Sequence, residues 1–227
     1  MFKSIDLNIS EPVNQQIYRT LRKAIITCYV LPGVLLSEKE ISSQFNVSRQ
    51  PVREAFIKLA EAGLVQILPQ RGTFVTKISI KKVMDGQFIR EAVECAIIKR
   101  AAIEISQSDI SLLQKNLAEQ KQANERKDIR YFLEKDDEFH QILMNVIDCP
   151  MAWQTVENIK AMMDRVRYLT LEDVSPPEDL VKQHEKILIA LENHDPELAV
   201  LALHEHLSAI LQTITIVSQQ KNEWFVD

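Results

Sequence analysis

Glycine is conspicuously scarce in this 227-residue chain, with only four residues, at positions 33, 63, 72 and 86. Loops that cradle phosphate need closely spaced glycines so that backbone N–H groups can turn toward the anion, and no such cluster occurs. The common nucleotide-dependent enzymes are thereby excluded. Cysteine is equally sparse. Cys28, Cys95 and Cys149 lie far apart and form no Cys-x-x-Cys pair, which argues against zinc fingers and dithiol redox centres and suits a reducing cytoplasm. No apolar run of membrane-spanning length stands out, and residues 1–8, with Lys3 and Asp6, do not read as a secretory leader. A cytoplasmic protein without membrane association is expected.

The charge is distributed unevenly. Residues 1–77 hold 10 Lys and Arg against 6 Asp and Glu, a net of +4, whereas the remaining 150 hold 17 against 26, a net of −9. The overall −5 therefore conceals a basic head and an acidic body, the asymmetry expected when one end meets phosphates. The length allows each part its own core. We expect domains at 10–77 and 78–220. A charge of +4 binds DNA weakly and with strong salt dependence, so two copies on a two-part operator are expected.

Within the basic part, Ser48-Arg49-Gln50-Pro51-Val52-Arg53 opens a helix. Arg49 and Arg53 are four apart and share a face with Gln50, while Val52, Ala55, Phe56, Leu59 and Ala62 form the opposite, apolar face. Ser48 suits the N-cap, Pro51 is tolerated in the first turn and Gly63 is placed to end the helix. Arg matches the guanine edge and Gln the adenine edge in a DNA major groove, so this reads as a recognition helix. Upstream, Ser37 and Glu40 have capping-box spacing and Leu36 and Ile41 form a staple, which predicts a helix to about Phe45. Asn46-Val47 then makes the turn of a helix-turn-helix. Val13, Ile17, Leu21 and Ile25 mark an earlier amphipathic helix. The apolar runs 65–68 and 73–75, separated by Pro69-Gln70-Arg71-Gly72, read as a β-hairpin wing with Arg71 at its tip.

From Ile80 onward the pattern is helical, with no convincing strand. Helices are predicted at 81–105, 107–126, 129–147, 151–171, 178–192 and 196–219, broken at Ser108-Asp109, Asp148-Cys149-Pro150, Ser175-Pro176-Pro177 and His194-Asp195-Pro196. Residues 78–80 read as a short connector. The expected fold is thus mainly α: a winged helix-turn-helix with a small hairpin wing, followed by an all-α bundle of about six helices. Bundles of this kind build sites from side chains on facing helices.

All five histidines (140, 184, 194, 204 and 206) fall in the bundle. Asp136 and His140 are four apart on one helix, His184 lies on the fifth helix of the bundle, and His204 and His206 lie on the sixth. An Asp and three His from three helices suit Zn²⁺, Ni²⁺ or Mn²⁺, with positions open for water or a carboxylate. Periodicity does not choose between His204 and His206. His194, in a turn, is expected to be solvated. Histidines on helices are commonly core or surface residues without a ligand role, so a plain dimerisation module is the bland alternative.

The segments Pro32-Gly33, Leu36-Ser37-Glu38-Lys39-Glu40-Ile41, Val47-Ser48-Arg49-Gln50-Pro51-Val52-Arg53-Glu54-Ala55, Gly63-Leu64-Val65 and Arg71-Gly72-Thr73-Phe74-Val75 resemble the GntR-type winged helix. The bundle resembles the FCD effector domain of the FadR branch, through Arg90 with Glu94, Asp136-x-x-Phe139-His140, His184 ahead of Ile187 and Leu191, and His206-Leu207. A six-helix count suits the VanR-like subgroup. The resemblance implies DNA contacts at Lys39, Ser48, Arg49, Gln50, Arg53, Arg71 and Gly72, with Gln50 standing where many relatives have Thr. It implies metal ligation by Asp136, His140, His184 and His206, with Zn²⁺ the first choice of metal and Ni²⁺ or Mn²⁺ as alternatives. It further implies a small organic-acid effector at or beside the metal. Arg90, Arg165 and Arg167 are candidates to pair its carboxylate, because a buried guanidinium offers a bidentate fork. The expected protein is a homodimeric repressor on double-stranded operator DNA, released by its effector. It is not an enzyme. The rival class is a metal-dependent hydrolase fused to a DNA reader, and no general base beside the ligands supports it.

Overall fold

A computed structural model describes residues 7, 8, 10–174 and 176–227; Lys3, Asp6 and Ser175, named above, lie outside them. The chain divides into two units, residues 81–220 and residues 1–80 together with the tail Lys221–Asp227.

The first unit contains α1 (Val13–Ile26), β1 (Leu35–Leu36), α2 (Glu38–Gln44), α3 (Arg49–Glu61), β2 (Val65–Leu68) and β3 (Gly72–Val75). Helix α3 buries Val52, Ala55, Phe56 and Leu59, as the spacing predicts, and packs on α1, whose Ile17, Leu21 and Ile25 are fully buried. Each large apolar side chain so buried contributes about 1.5–3 kcal/mol. Ser37 caps α2 by accepting from the Glu40 amide at 3.3 Å. Asn46, at φ 53, makes the turn into α3 in the left-handed region that asparagine tolerates. Gly63, at φ 72, closes α3 in a Schellman motif, with Leu64 N donating to Leu59 O at 2.9 Å and Gly63 N to Ala60 O at 3.0 Å.

β2 and β3 pair antiparallel from Val65 opposite Val75 to Leu68 opposite Gly72, forming the wing. β1 adds a third strand through Leu35 opposite Phe74. The sequence reading saw Leu36 only as a staple, because two residues are too few to show a period of two. Gly72 is required by its geometry: φ is 109, and a Cβ there would meet Leu35 Cδ1 at 2.5 Å.

Two further strands correct the reading of the chain's later part. Residues 78–80 are not a bare connector: β4 (Ile78–Ser79) pairs in parallel with β5 (Phe225–Val226), so a strand does follow Ile80. Ile78 and Phe225 are both buried, which holds the tail in the first unit.

The second unit holds six helices among the described residues: α4 (Ile80–Glu104), α5 (Gln107–Glu125), α6 (Ile129–Val146), α7 (Pro150–Asp173), α8 (Pro177–Glu192) and α9 (Pro196–Gln220). Its core gathers Leu113, Phe132, Phe139, Ile187, Leu191 and Leu203. Ser106, rather than Ser108, starts α5 through a full capping box with Asp109. By length and composition α9 is apolar enough to cross a membrane, contrary to the sequence reading. Its stripe of Ala199, Ala202, Leu203, His206 and Leu207 is buried within the bundle, as in a core helix.

Candidate nucleic-acid interface and metal centre

The first turns of α3 present Arg49, Gln50 and Arg53, all exposed, and Lys39 is exposed on α2. Ser48 occupies the N-cap position of α3, yet its hydroxyl makes no capping hydrogen bond, contrary to expectation. Arg53 is not idle. Its Nε and Nη2 donate to the two carboxylate oxygens of Glu38 at 3.2 and 3.1 Å, which ties α3 to α2. Gln50 Nε2 donates to Glu54 Oε1 at 3.0 Å, and Asn14 Nδ2 donates to the other oxygen of Glu54 at 2.7 Å. Exposed contacts of this strength exchange readily for a phosphate or a base edge. Arg71 and Gly72 sit exposed at the wing tip, where Gln70 takes a φ of 59.

In the second unit, Asp136 and His140 on α6, His184 on α8 and His206 on α9 converge, all buried, with one ligand atom from each lying within 4.8 Å of the others. His140 Nε2 is 3.1 Å and His184 Nε2 is 3.4 Å from His206 Nε2. Asp136 Oδ1 is 3.8 Å from His184 Nε2 and makes no hydrogen bond. Metal–nitrogen bonds of about 2.0–2.1 Å imply ligand separations of roughly 2.8–3.4 Å at octahedral to tetrahedral angles. The two separations from His206 fall in that range. Of the two histidines that periodicity leaves open, His206 lies in this cluster, whereas His204 is exposed and meets Glu91 at 2.9 Å. His194 is exposed, as expected, and its Nδ1 also donates to Ala102 O at 2.9 Å.

The supporting residues decide which nitrogen each ring offers. Asn116 Nδ2 donates to the Lys135 carbonyl at 3.0 Å, so Asn116 Oδ1 accepts from Gln120 Nε2 at 2.8 Å. Gln120 Oε1 must then accept from His184 Nδ1, at 2.8 Å. A chain that begins at a backbone carbonyl thus fixes both amide orientations and leaves His184 Nε2 as a bare lone pair. His206 Nδ1 likewise donates to Gln183 Oε1 at 3.0 Å. His140 Nδ1 lies 2.6 Å from Glu94 Oε2, a charge-assisted contact off the ideal hydrogen-bond line. Three lone pairs therefore face one another in a buried site, an arrangement that repels itself unless a cation lies between them.

Protons do not fill that role at neutral pH. Burial, opposed by Asp136 and reinforced by His140 and nearby arginines, lowers the His184 pKa to about 3; burial, then His184 and His140, pushes His206 well below its usual value. The carboxylates stay ionised. Burial works to raise Glu94, but Arg90 and His140 bring it down to about 2, and Arg167 with His184 and His140 overcomes the same penalty at Asp136. Neutral imidazoles beside a carboxylate are the donor set for a divalent transition metal. The residues fit the ion.

A cavity of about 210 Å³ adjoins this centre, lined among others by Gln87, Arg90, Asp136, Arg167, Gln183 and His206. Of the three arginines proposed for an effector, two line it and both are committed. Arg90 Nε donates to Glu94 at 2.5 Å. Arg167 pairs with Asp136, and with Asp137 and Asp164 at 3.0 Å each, while the buried Lys160 bridges the latter two carboxylates at 2.6 and 3.1 Å. Arg165 is fully buried and is not among the residues lining this cavity. Sequence reasoning missed the support of Gln120 and Gln183. The one available signal was a pair of amides, Asn116 and Gln120, spaced four apart on the buried face of α5.

A winged helix-turn-helix joined to a helical unit with a buried Asp/His₃ centre defines a DNA-binding protein with an effector-type domain. The description "Bacterial regulatory proteins, gntR family" matches residues 13–75 and the FCD domain matches residues 87–209. The chain belongs to the GntR family of transcriptional regulators and carries an FCD domain. It is 52% identical over 219 residues to the HTH-type transcriptional repressor RspR of Escherichia coli (strain K12), covering 96% of each chain. A regulator in an unstable DNA locus of Streptomyces ambofaciens is 36% identical over 211 residues, 93% of this chain and 89% of that one. Among solved structures, E. coli McbR/YncC shares the fold, with a TM-score of 0.78 and 22% identity over 93% of this chain and 100% of that one. A GntR regulator from Rhodococcus sp. RHA1 gives a TM-score of 0.74 at 25% identity over 89% and 97%. These relatives are regulators, not enzymes, and the hydrolase alternative finds no support among them.

Proposed function

We propose that the protein is a cytoplasmic, homodimeric repressor that holds one divalent metal per chain and releases operator DNA when a small organic acid binds at that metal. The observation that carries this reading is the convergence of three histidine Nε2 atoms, on two rings whose Nδ1 meets a glutamine oxygen and a third whose Nδ1 lies 2.6 Å from Glu94, beside a carboxylate oxygen with no hydrogen bond. Zn²⁺ is the first candidate and Ni²⁺ and Mn²⁺ are alternatives; the ion would be held by Asp136, His140, His184 and His206. Bound there, it supplies the free positive charge that the committed arginines do not. The name of the 52% identical relative, a repressor, supports the sign of regulation.

At the other end, Arg49 and Gln50 read base edges, Arg53 trades Glu38 for DNA, and Lys39, Ser48, Arg71 and Gly72 meet the backbone. The DNA-binding and effector domains expected at 10–77 and 78–220 correspond to the two units, with the boundary moved to Ile80 and the tail belonging to the first. Exposed Met84, Phe88 and Leu201 supply apolar area for a second copy. The route from site to reader is covalent at two places. α4, which carries Gln87 and Arg90, continues directly from β4, and α9, which carries His206, leads into β5; the two strands pair with each other. A ligand that favours one arrangement of α4 and α9 can thus bias the winged helix.

The test uses an operator selected by the wild-type protein from a random duplex pool, read by fluorescence anisotropy alongside metal analysis. Arg49→Ala should lose specific binding and keep its metal, whereas His140→Ala should keep DNA binding and lose the metal. Wild-type operator affinity in Arg49→Ala would remove the reader assignment, and full metal content in His140→Ala would remove the metal centre.

A further inference from the structure

Resting on the reading just given, we infer that Gln87 is a specificity-determining residue and that the effector carries a hydroxyl group for it, in addition to the carboxylate that goes to the metal. Gln87 lies on α4, is 2% exposed and lines the cavity beside Arg90 and His206. Its Nε2 donates to the Leu207 carbonyl at 2.7 Å, a buried bond between α4 and α9. That bond fixes the amide, since a flip would set Oε1 against a carbonyl oxygen. Oε1 is left buried with no hydrogen-bond donor.

A buried acceptor without a donor is costly, and a site that keeps one discriminates strongly for ligands that supply the missing hydrogen. The rest of the lining does not compete for this role. Arg167 is held by Asp136, Asp137 and Asp164, and Arg90 is tied through its Nε to Glu94; both guanidinium groups only donate, so neither duplicates the acceptor that Gln87 offers. Thr213 donates to the Ile210 carbonyl at 3.2 Å and lies 3.4 Å from the Thr170 hydroxyl, so its own proton is spent. The unmet demand in the cavity is for a hydrogen donor. A neutral hydroxyl supplies that hydrogen without placing a second buried charge in the cavity, which an ammonium would do.

Zinc-loaded full-length protein is titrated calorimetrically with matched acids that differ in one group: acetate, glycolate and glycine; propionate, lactate and alanine; succinate, malate and aspartate. In at least one series the hydroxy acid should bind about ten- to a hundred-fold more tightly than its parent, with the amino acid weaker than the hydroxy acid. Gln87→Met should bring hydroxy and parent acids to within about two-fold of each other while zinc content stays at one per chain. Parity of hydroxy and parent acids in the wild type overturns the inference without any variant. Tighter binding of the amino acid overturns the choice of hydroxyl, and an unchanged preference in Gln87→Met overturns the assignment to Gln87. No binding of any acid overturns the inference together with the acid-effector reading, while zinc uptake, scored in the same protein, reports separately on the metal centre.

Discussion

Replacing Gln120 with Met tests how the histidines are held ready for a metal. In the structure the Lys135 carbonyl, Asn116, Gln120 and His184 form one relay with separations of 3.0, 2.8 and 2.8 Å. Methionine keeps the length of the side chain and removes the acceptor at its end. Two costs follow. The buried Nδ1–H of His184 loses its partner, which destabilises the metal-free protein by about 1–3 kcal/mol. The proton also gains freedom to move to Nε2, the nitrogen that faces the metal site, and an incoming ion must displace it. Loss of a ligand's supporting hydrogen bond typically weakens metal affinity by about 10–100-fold, or roughly 1.4–2.7 kcal/mol. Competition with a chromogenic chelator reads the affinity, and thermal melting of the chelated protein reads the stability. Zinc affinity within two-fold of wild type in Gln120→Met would refute the relay as the device that orients His184.

Other expectations follow from the same geometry. The metal-free protein should lose stability on acidification: His184 takes its proton near pH 3 when folded and near 6.5 when unfolded, so the unfolded state binds more protons as pH falls through that window. Glu94, lowered to about 2, adds a loss of the same sign below its unfolded value near 4.3. Denaturant midpoints at pH 7, 6 and 5 should decline in order, and a flat series would contradict the buried neutral imidazole. Arg167→Met leaves Asp137 and Asp164 with Lys160 and strips Asp136 of its paired guanidinium, and should cost about 3–5 kcal/mol in urea unfolding. A loss under 1 kcal/mol would show that the network carries little of the fold. Truncation after Gln220 removes the buried Phe225 and should cost the first unit about 1.5–3 kcal/mol, with faster amide exchange at Ile78 and Ser79. Unchanged exchange there would mean that the tail is not seated.

Much of this architecture could be read from the residues because local and long-range signals agree. The stripe of Val52, Ala55, Phe56 and Leu59, Ser37 at its cap and Gly63 at its stop each act within a few positions of their partners. The six helices of the second unit start and end within a few residues of the expected positions because prolines and caps punctuate them. β1 and β5 were invisible for the opposite reason. Each is two residues long and exists because of a distant partner in register, Leu35 with Phe74, 39 positions on, and Phe225 with Ile78, 147 positions back. At the site, the spacing of Asp136 and His140 was informative, but the tie between His204 and His206 was not broken by periodicity, since both have apolar neighbours at helical spacing. The commitment of Arg90 and Arg167 to carboxylates was half legible: Glu94 is four residues from Arg90, whereas Asp136 and Asp137 reach Arg167 from another helix. Gln87 gave no sequence signal, because its importance lies in one unsatisfied oxygen.

Native mass spectrometry of untagged protein purified without chelators tests the central claim most directly. The account predicts a dimer carrying one metal ion per chain, with additional mass where effector remains bound. A metal-free dimer that Zn²⁺, Ni²⁺ and Mn²⁺ all fail to fill would contradict it.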